Sequence, residues 1–199
     1  MFSIAVLISG NGSNLQALID AIQSKQLDAS IQLVISNSSK AYGLQRAVQA
    51  GIPTLVQTLK SYRDLGKSRT EFDLDLAAKL KSHFNGLPNL IVLAGFMHIL
   101  SPEFLEQFPH VINLHPALPG AFDGIKAIER AYEAFHQGSI TETGVMVHKV
   151  IPEVDRGEVV LVEKVPIYEK DTLHDLEERI HQVEHVLIVK ATQKILSSL

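Results

Sequence analysis

The sequence predicts an α/β protein: a twisted, mostly parallel sheet with helices on both faces and an antiparallel extension near the C-terminus. Three observations carry that expectation. Short apolar runs alternate with helical periodicities, the pattern of strands joined by crossover helices. The runs at 3–8 and 90–93 are apolar on both faces, as central strands of a parallel sheet are. The 199 residues are 46% hydrophobic and 20% charged, ample material for a core. No linker, repeat or low-complexity tract interrupts them, so one domain over 1–199 is expected.

Taken in order, residues 3–8 form a first strand, and Leu15, Leu18, Ile19 and Ile22 then recur at helical spacing. Residues 31–35 form a second strand, followed by a short helix at 44–50 that Gly51 and Pro53 end. A short third strand is expected at 54–56. The helix at 69–84 carries Phe72, Leu76 and Leu80 on one stripe, and buried strands follow at 90–93 and 110–114. Pro116, Pro119, Gly120 and Gly124 break the pattern into an irregular loop before a helix at 125–136. Residues 143–150 and 159–165 alternate as strands of the antiparallel extension. The helix at 173–196 comes last, with Leu176, Ile180, Val183 and Leu187 facing inward.

Composition excludes several functions. The net charge is −4 with no Lys/Arg cluster, which argues against nucleic acid as a partner. No stretch approaches the ~18 apolar residues that span a bilayer. Met1-Phe2-Ser3-Ile4 lacks the basic start of a signal peptide, so none is expected. There is no cysteine, hence no disulfide or thiolate metal site, and a cytoplasmic location is the expectation.

Two segments carry chemistry. Ser9-Gly10-Asn11-Gly12-Ser13-Asn14 joins a buried strand to a helix, where free backbone N–H groups and the helix dipole attract an anion. A dinucleotide fingerprint would need a third glycine where Leu15 stands and an acid after the second strand, which ends in Ser36-Asn37. A Walker lysine is missing too. The loop reads either as a cradle for a small monophosphate or as a tight capped turn, and the residues alone leave both open. Farther on, Asn113-Leu114-His115-Pro116 ends a strand, placing Asn113 and His115 on one side. Pro116 keeps His115 out of a helical conformation. The acidic turn Glu153-Val154-Asp155-Arg156-Gly157 can bring Asp155 to the same edge, holding His115 protonated as part of an oxyanion site.

These segments, with Leu93-Ala94-Gly95-Phe96-Met97, resemble the glycinamide ribonucleotide formyltransferase family, in order from residue 1 to about 190. The resemblance implies a Rossmann-like formyltransferase fold and formyl transfer from 10-formyltetrahydrofolate, a co-substrate, to the amine of glycinamide ribonucleotide in purine synthesis. It implies Asn113, His115 and Asp155 as the catalytic set. Gly12, Ser13 and Asn14 would bind the ribonucleotide phosphate, and Glu184 would meet the same substrate, although alone it reads as a solvated helix residue. The folate would contact Met97, His98, Ile99 and Leu100, the turn of Ile151, Pro152, Glu153, Val154 and Asp155, and Asn113, with Arg69 on its carboxylated tail. His148 is expected only to support the site. The partners implied are these small molecules and no membrane; the chain would be a monomer or weak homo-oligomer, and no metal is expected. His98 stands where many relatives have Arg, and the loop at 117–124 departs from the usual form.

Overall fold

The computed structural model describes residues 1–199. Its sheet has seven strands in the order β3-β2-β1-β4-β5-β6-β7. These are β1 (Phe2–Ile8), β2 (Ala29–Ser36), β3 (Thr54–Val56), β4 (Leu90–Leu93), β5 (Val111–His115), β6 (Glu142–Lys149) and β7 (Val159–Pro166). The first five pair in parallel, and β6 and β7 add antiparallel pairings, as the sequence predicts.

Helices α1 (Ser13–Gln23), α2 (Gly43–Gln49), α4 (Arg69–Phe84), α6 (Ala127–His136) and α7 (Leu173–Leu196) form close to where periodicity puts them. Two short helices were not expected: α3 (Leu59–Asp64) and α5 (Pro102–Leu105). Each is too short to show a period and is held by a cap, Thr58 accepting from Ser61 N–H and Ser101 from Phe104 N–H. The helix expected from 125 starts at Ala127, because Lys126 takes a left-handed φ of 56°.

Side-chain alternation along β1 divides the core in two. Ile4, Val6 and Ile8 belong to the cluster that takes in Leu15 and Leu18 of α1 and Leu176, Ile180 and Leu187 of α7. Ala5 and Leu7 face the other way, with Phe72, Leu76 and Leu80 of α4. Every one of these side chains is buried, so β1 feeds both layers. The strand order reverses direction between β1 and β4, and the loops leaving those two strands diverge to opposite faces of the sheet. A cleft opens beyond the carboxyl ends of β4 and β5, the usual kind of ligand position in an open α/β sheet.

Candidate active site

The polar centre is built at the end of β5. Asn113 and His115 project to the same side, and antiparallel pairing sets His148 of β6 directly opposite Asn113. The turn after β6 then returns Asp155, whose φ of 55° lies in the left-handed region. This strained turn brings the carboxylate to the middle of the group. Asp155 Oδ2 lies 3.4 Å from His115 Nδ1, and Oδ1 lies 3.3 Å from His148 Nε2. Asn113 Nδ2 donates to Asp155 Oδ1 at 3.3 Å, and the Gly124 N–H donates to Oδ2 at 2.8 Å. The sequence pairs Asp155 with His115 alone; the structure shares it among four groups.

Burial pushes the Asp155 carboxyl up, but the hydrogen bonds from His148 and Gly124 and the two imidazoles outweigh it and leave it below the ordinary range. His115 goes against expectation. Burial lowers its pKa, and the raising effects of Asp155 and the Phe122 carbonyl do not make up the difference. Burial thus favours the neutral ring at rest, where the sequence predicts a ring held protonated. Geometry nevertheless prepares it for a proton, because Nδ1 faces Asp155 and Nε2 lies 3.2 Å from Phe122 O. A neutral ring has one N–H, so one nitrogen must turn its lone pair toward an acceptor; an imidazolium satisfies both.

Beside this group lies a cleft of about 370 Å³, within the size range of small-molecule sites. Arg69, Met97, His98, Ile99 and Leu100 line one wall, and Ile151, Pro152, Val154 and Asp155 another, with Asn113, His115 and His148 at the polar end. Glu153 is exposed and does not line the cleft. His98 is also placed differently from a simple ligand contact. Its ring turns inward, with Nε2 2.7 Å from the buried Asp73 carboxylate and Nδ1 3.4 Å from Arg69 Nη2. Arginine has only donors, so Nδ1 accepts and the ring proton sits on Nε2, toward Asp73. The same carboxylate accepts from Ser101 N–H at 2.8 Å, so the His98 side chain serves the wall of the cleft.

Gly12, Ser13, Asn14 and Glu184 lie outside that lining and form a second corner. Gly12 has φ 74° and makes the left-handed turn into α1, whose first N–H groups have no side-chain cap. A Cβ there would sit 2.6 Å from Gly43 Cα, so backbone meets backbone with no room for a side chain. Asn14 Nδ2 donates to Glu184 Oε2 at 3.0 Å, across 170 residues of sequence, while Asn14 Oδ1 is buried without a partner. Burial raises the Glu184 carboxyl, which Asn14 and His181 counter only in part. Glu184 is buried, not a solvated helix residue. Ser9 ties the two corners together: its hydroxyl accepts from Met97 N–H at 2.7 Å and donates to Asn37 Oδ1 at 2.6 Å.

Sequence reasoning missed Asp73 and Phe122 and gave His148 too small a part. For His148 a signal existed: it follows Met146 at strand spacing, as His115 follows Asn113, and antiparallel pairing turns both pairs to one edge. Asp73 carried none, since a buried acid on a helix resembles any other helix acid.

Known proteins resemble the chain throughout. The profile of the family described as formyl transferase matches residues 2–192. The phosphoribosylglycinamide formyltransferase of Schizosaccharomyces pombe is 50% identical over 206 residues, covering 98% of this chain and 97% of that protein. That of Dictyostelium discoideum is 49% identical, covering 99% of this chain and 98% of its own. The crystal structure of glycinamide ribonucleotide transformylase 1 from Geobacillus kaustophilus superposes with a TM-score of 0.89 at 34% identity, over 98% of this chain and 99% of that one.

Proposed function

The chain belongs to the formyl transferase family, and from that membership and the site we infer that it is a phosphoribosylglycinamide formyltransferase. The reaction transfers the formyl group of 10-formyltetrahydrofolate to the amine of glycinamide ribonucleotide, giving the N-formyl product and tetrahydrofolate in purine synthesis. The observation that carries this reading is Asn113, His115 and Asp155 gathered at the polar end of an apolar cleft.

The pterin end of the folate enters the cleft between Met97–Leu100 and Ile151–Val154, with Arg69 at its mouth for the carboxylated tail. The ribonucleotide phosphate rests on the N–H groups of Gly12, Ser13 and Asn14, and Glu184 faces the same substrate. Its neutral amine attacks the formyl carbon: a C–N bond forms and the carbonyl electron pair moves to oxygen. Asn113 donates to that oxygen. The new negative charge also favours a proton on His115, which takes it from the attacking nitrogen as the intermediate forms. The ring thus goes from neutral to cationic between ground and transition state, the condition for an interaction to accelerate the step. Asp155 and the Phe122 carbonyl fix the ring's orientation, and His148 supports Asp155 and Asn113. His115 then returns the proton to the departing folate nitrogen as its bond to the formyl carbon breaks. Neither electron transfer nor hydrolysis is part of this sequence. All these groups come from one chain, which suits a single domain of 1–199 acting as a monomer or weak homo-oligomer in the cytoplasm. No helix is long and apolar enough to cross a membrane.

An absorbance assay of folate turnover, with and without glycinamide ribonucleotide, tests the assignment. Ribonucleotide-dependent release of tetrahydrofolate is expected. Equal turnover in its absence would make the protein a hydrolase instead.

A further inference from the structure

Arg46 of α2 is the cation nearest the glycine loop that the reaction scheme leaves unused. Its Nε donates to Asn11 O at 2.9 Å and its Nη2 to Asn11 Oδ1 at 2.9 Å, a two-pronged grip on a single loop residue. Nη1 reaches Gln16 Oε1 of α1 at 3.2 Å, so the guanidinium spans the turn from loop to helix. The Arg46 guanidinium lies over the ring of Tyr42, the residue that caps the start of α2, 5.0 Å from its centroid. A Cβ added to Gly12 would meet the arginine's Cδ at 3.6 Å, so the side chain runs beside the bend. The same helix also holds the loop through its backbone, since Gly43 N–H donates to Gly10 O at 3.1 Å. All three acceptors of Arg46 are neutral, so none of them cancels its charge.

A guanidinium with only neutral partners, gripping a loop whose helix N-terminus is uncapped, adds positive charge where backbone N–H groups already favour an anion. We propose that Arg46 is a positioning residue of the ribonucleotide phosphate site: it holds Asn11–Gly12 in the anion-binding shape and supplies the positive charge of that corner. This rests on the reading of the loop as the phosphate cradle. It deepens that reading by making α2, and not the loop alone, responsible for selecting a phosphorylated substrate.

The test compares KM for glycinamide ribonucleotide with KM for its dephosphorylated nucleoside in the wild type, Arg46→Ala and Arg46→Lys. The folate KM and a thermal melt report on the fold. Arg46→Ala should raise the ribonucleotide KM about tenfold, the scale of a lost charge-assisted contact, and leave kcat, the nucleoside KM and the folate KM unchanged. Inorganic phosphate, competing with the ribonucleotide, should weaken in proportion. Lysine keeps the charge but cannot fork onto both Asn11 oxygens, so Arg46→Lys should recover part of the loss. Unchanged ribonucleotide KM, equal losses on both substrates, or no recovery with lysine would each overturn the proposal. Failure of the cradle reading looks different: the wild type would then show no preference for the phosphorylated substrate.

Discussion

The two corners of the site are made of different material. At the end of β5, side chains carry the chemistry: two imidazoles, a carboxylate and an amide converge within hydrogen-bonding reach. At the start of α1, backbone dominates, since Gly12 packs against Gly43 too closely for any side chain to intervene. The contrast follows from the task. A proton must arrive and leave during acyl transfer, which needs titratable groups held near balance. The phosphate proposed for the second corner is held by fixed dipoles, so catching it needs no proton transfer. Changes in the first corner should therefore appear in kcat and its pH profile, and changes in the second in KM.

The largest expected effect tests that division at its strongest point. His115→Ala should lower kcat by at least about 10²–10³, the usual loss for one oxyanion-stabilising group, with little change in either KM. Asp155→Asn should lower kcat strongly as well, and the double variant should be little worse than the worse single one, because the pair acts as a unit. The sign of the pH effect follows from the electrostatics. Burial already places His115 below the ordinary histidine range, and Asp155 opposes that shift. Removing the carboxylate charge should carry the acid limb of the rate profile to still lower pH. An unmoved limb with additive losses would break the pairing.

Next comes the backbone corner. Gly12→Ala forces a Cβ to 2.6 Å from Gly43 Cα at a φ of 74°, so α2 or the loop must shift. The strain of a left-handed residue is about 1–3 kcal/mol. The expected result is a lower melting temperature and a raised ribonucleotide KM, with the folate KM preserved in the fraction that folds. A kcat loss at unchanged KM would blur the contrast between the corners.

Arg69 sharpens the comparison from the folate side. Arg69→Ala should raise the KM of the full-length formyl donor several-fold, on the scale of an exposed charged contact of ~1 kcal/mol, and leave a tail-truncated donor unaffected. Equal effects on both donors would remove the tail assignment.

The smallest effect concerns Glu184, the one titratable group in the backbone corner whose carboxyl burial raises. A carboxyl with a raised folded pKa contributes fully below its unfolded value, and that contribution is lost as pH rises through the folded value. Glu184→Gln mimics the protonated form, so its melting temperature relative to wild type should climb between mildly acidic and neutral pH. A constant difference across that range would show that Glu184 is ionised throughout.

The amino-acid sequence alone determined the layered α/β architecture, because β1 and β4 are written as continuous apolar runs and α4 and α7 as helical stripes. Those patterns are local, and burial on both faces of a strand leaves little freedom in reading them. It also determined the Asn113–His115 pair and the glycine turn, since strand spacing and Gly φ are properties of adjacent residues. What only the tertiary structure decided lies in contacts between distant segments. Asn14 meets Glu184 across 170 positions, His98 turns inward to Asp73, and Asp155 is divided between two histidines. The charge of His115 belongs to this second kind. A nearby carboxylate can be expected from sequence, but the desolvation that outweighs it depends on every layer folded over the ring, and no local pattern records that.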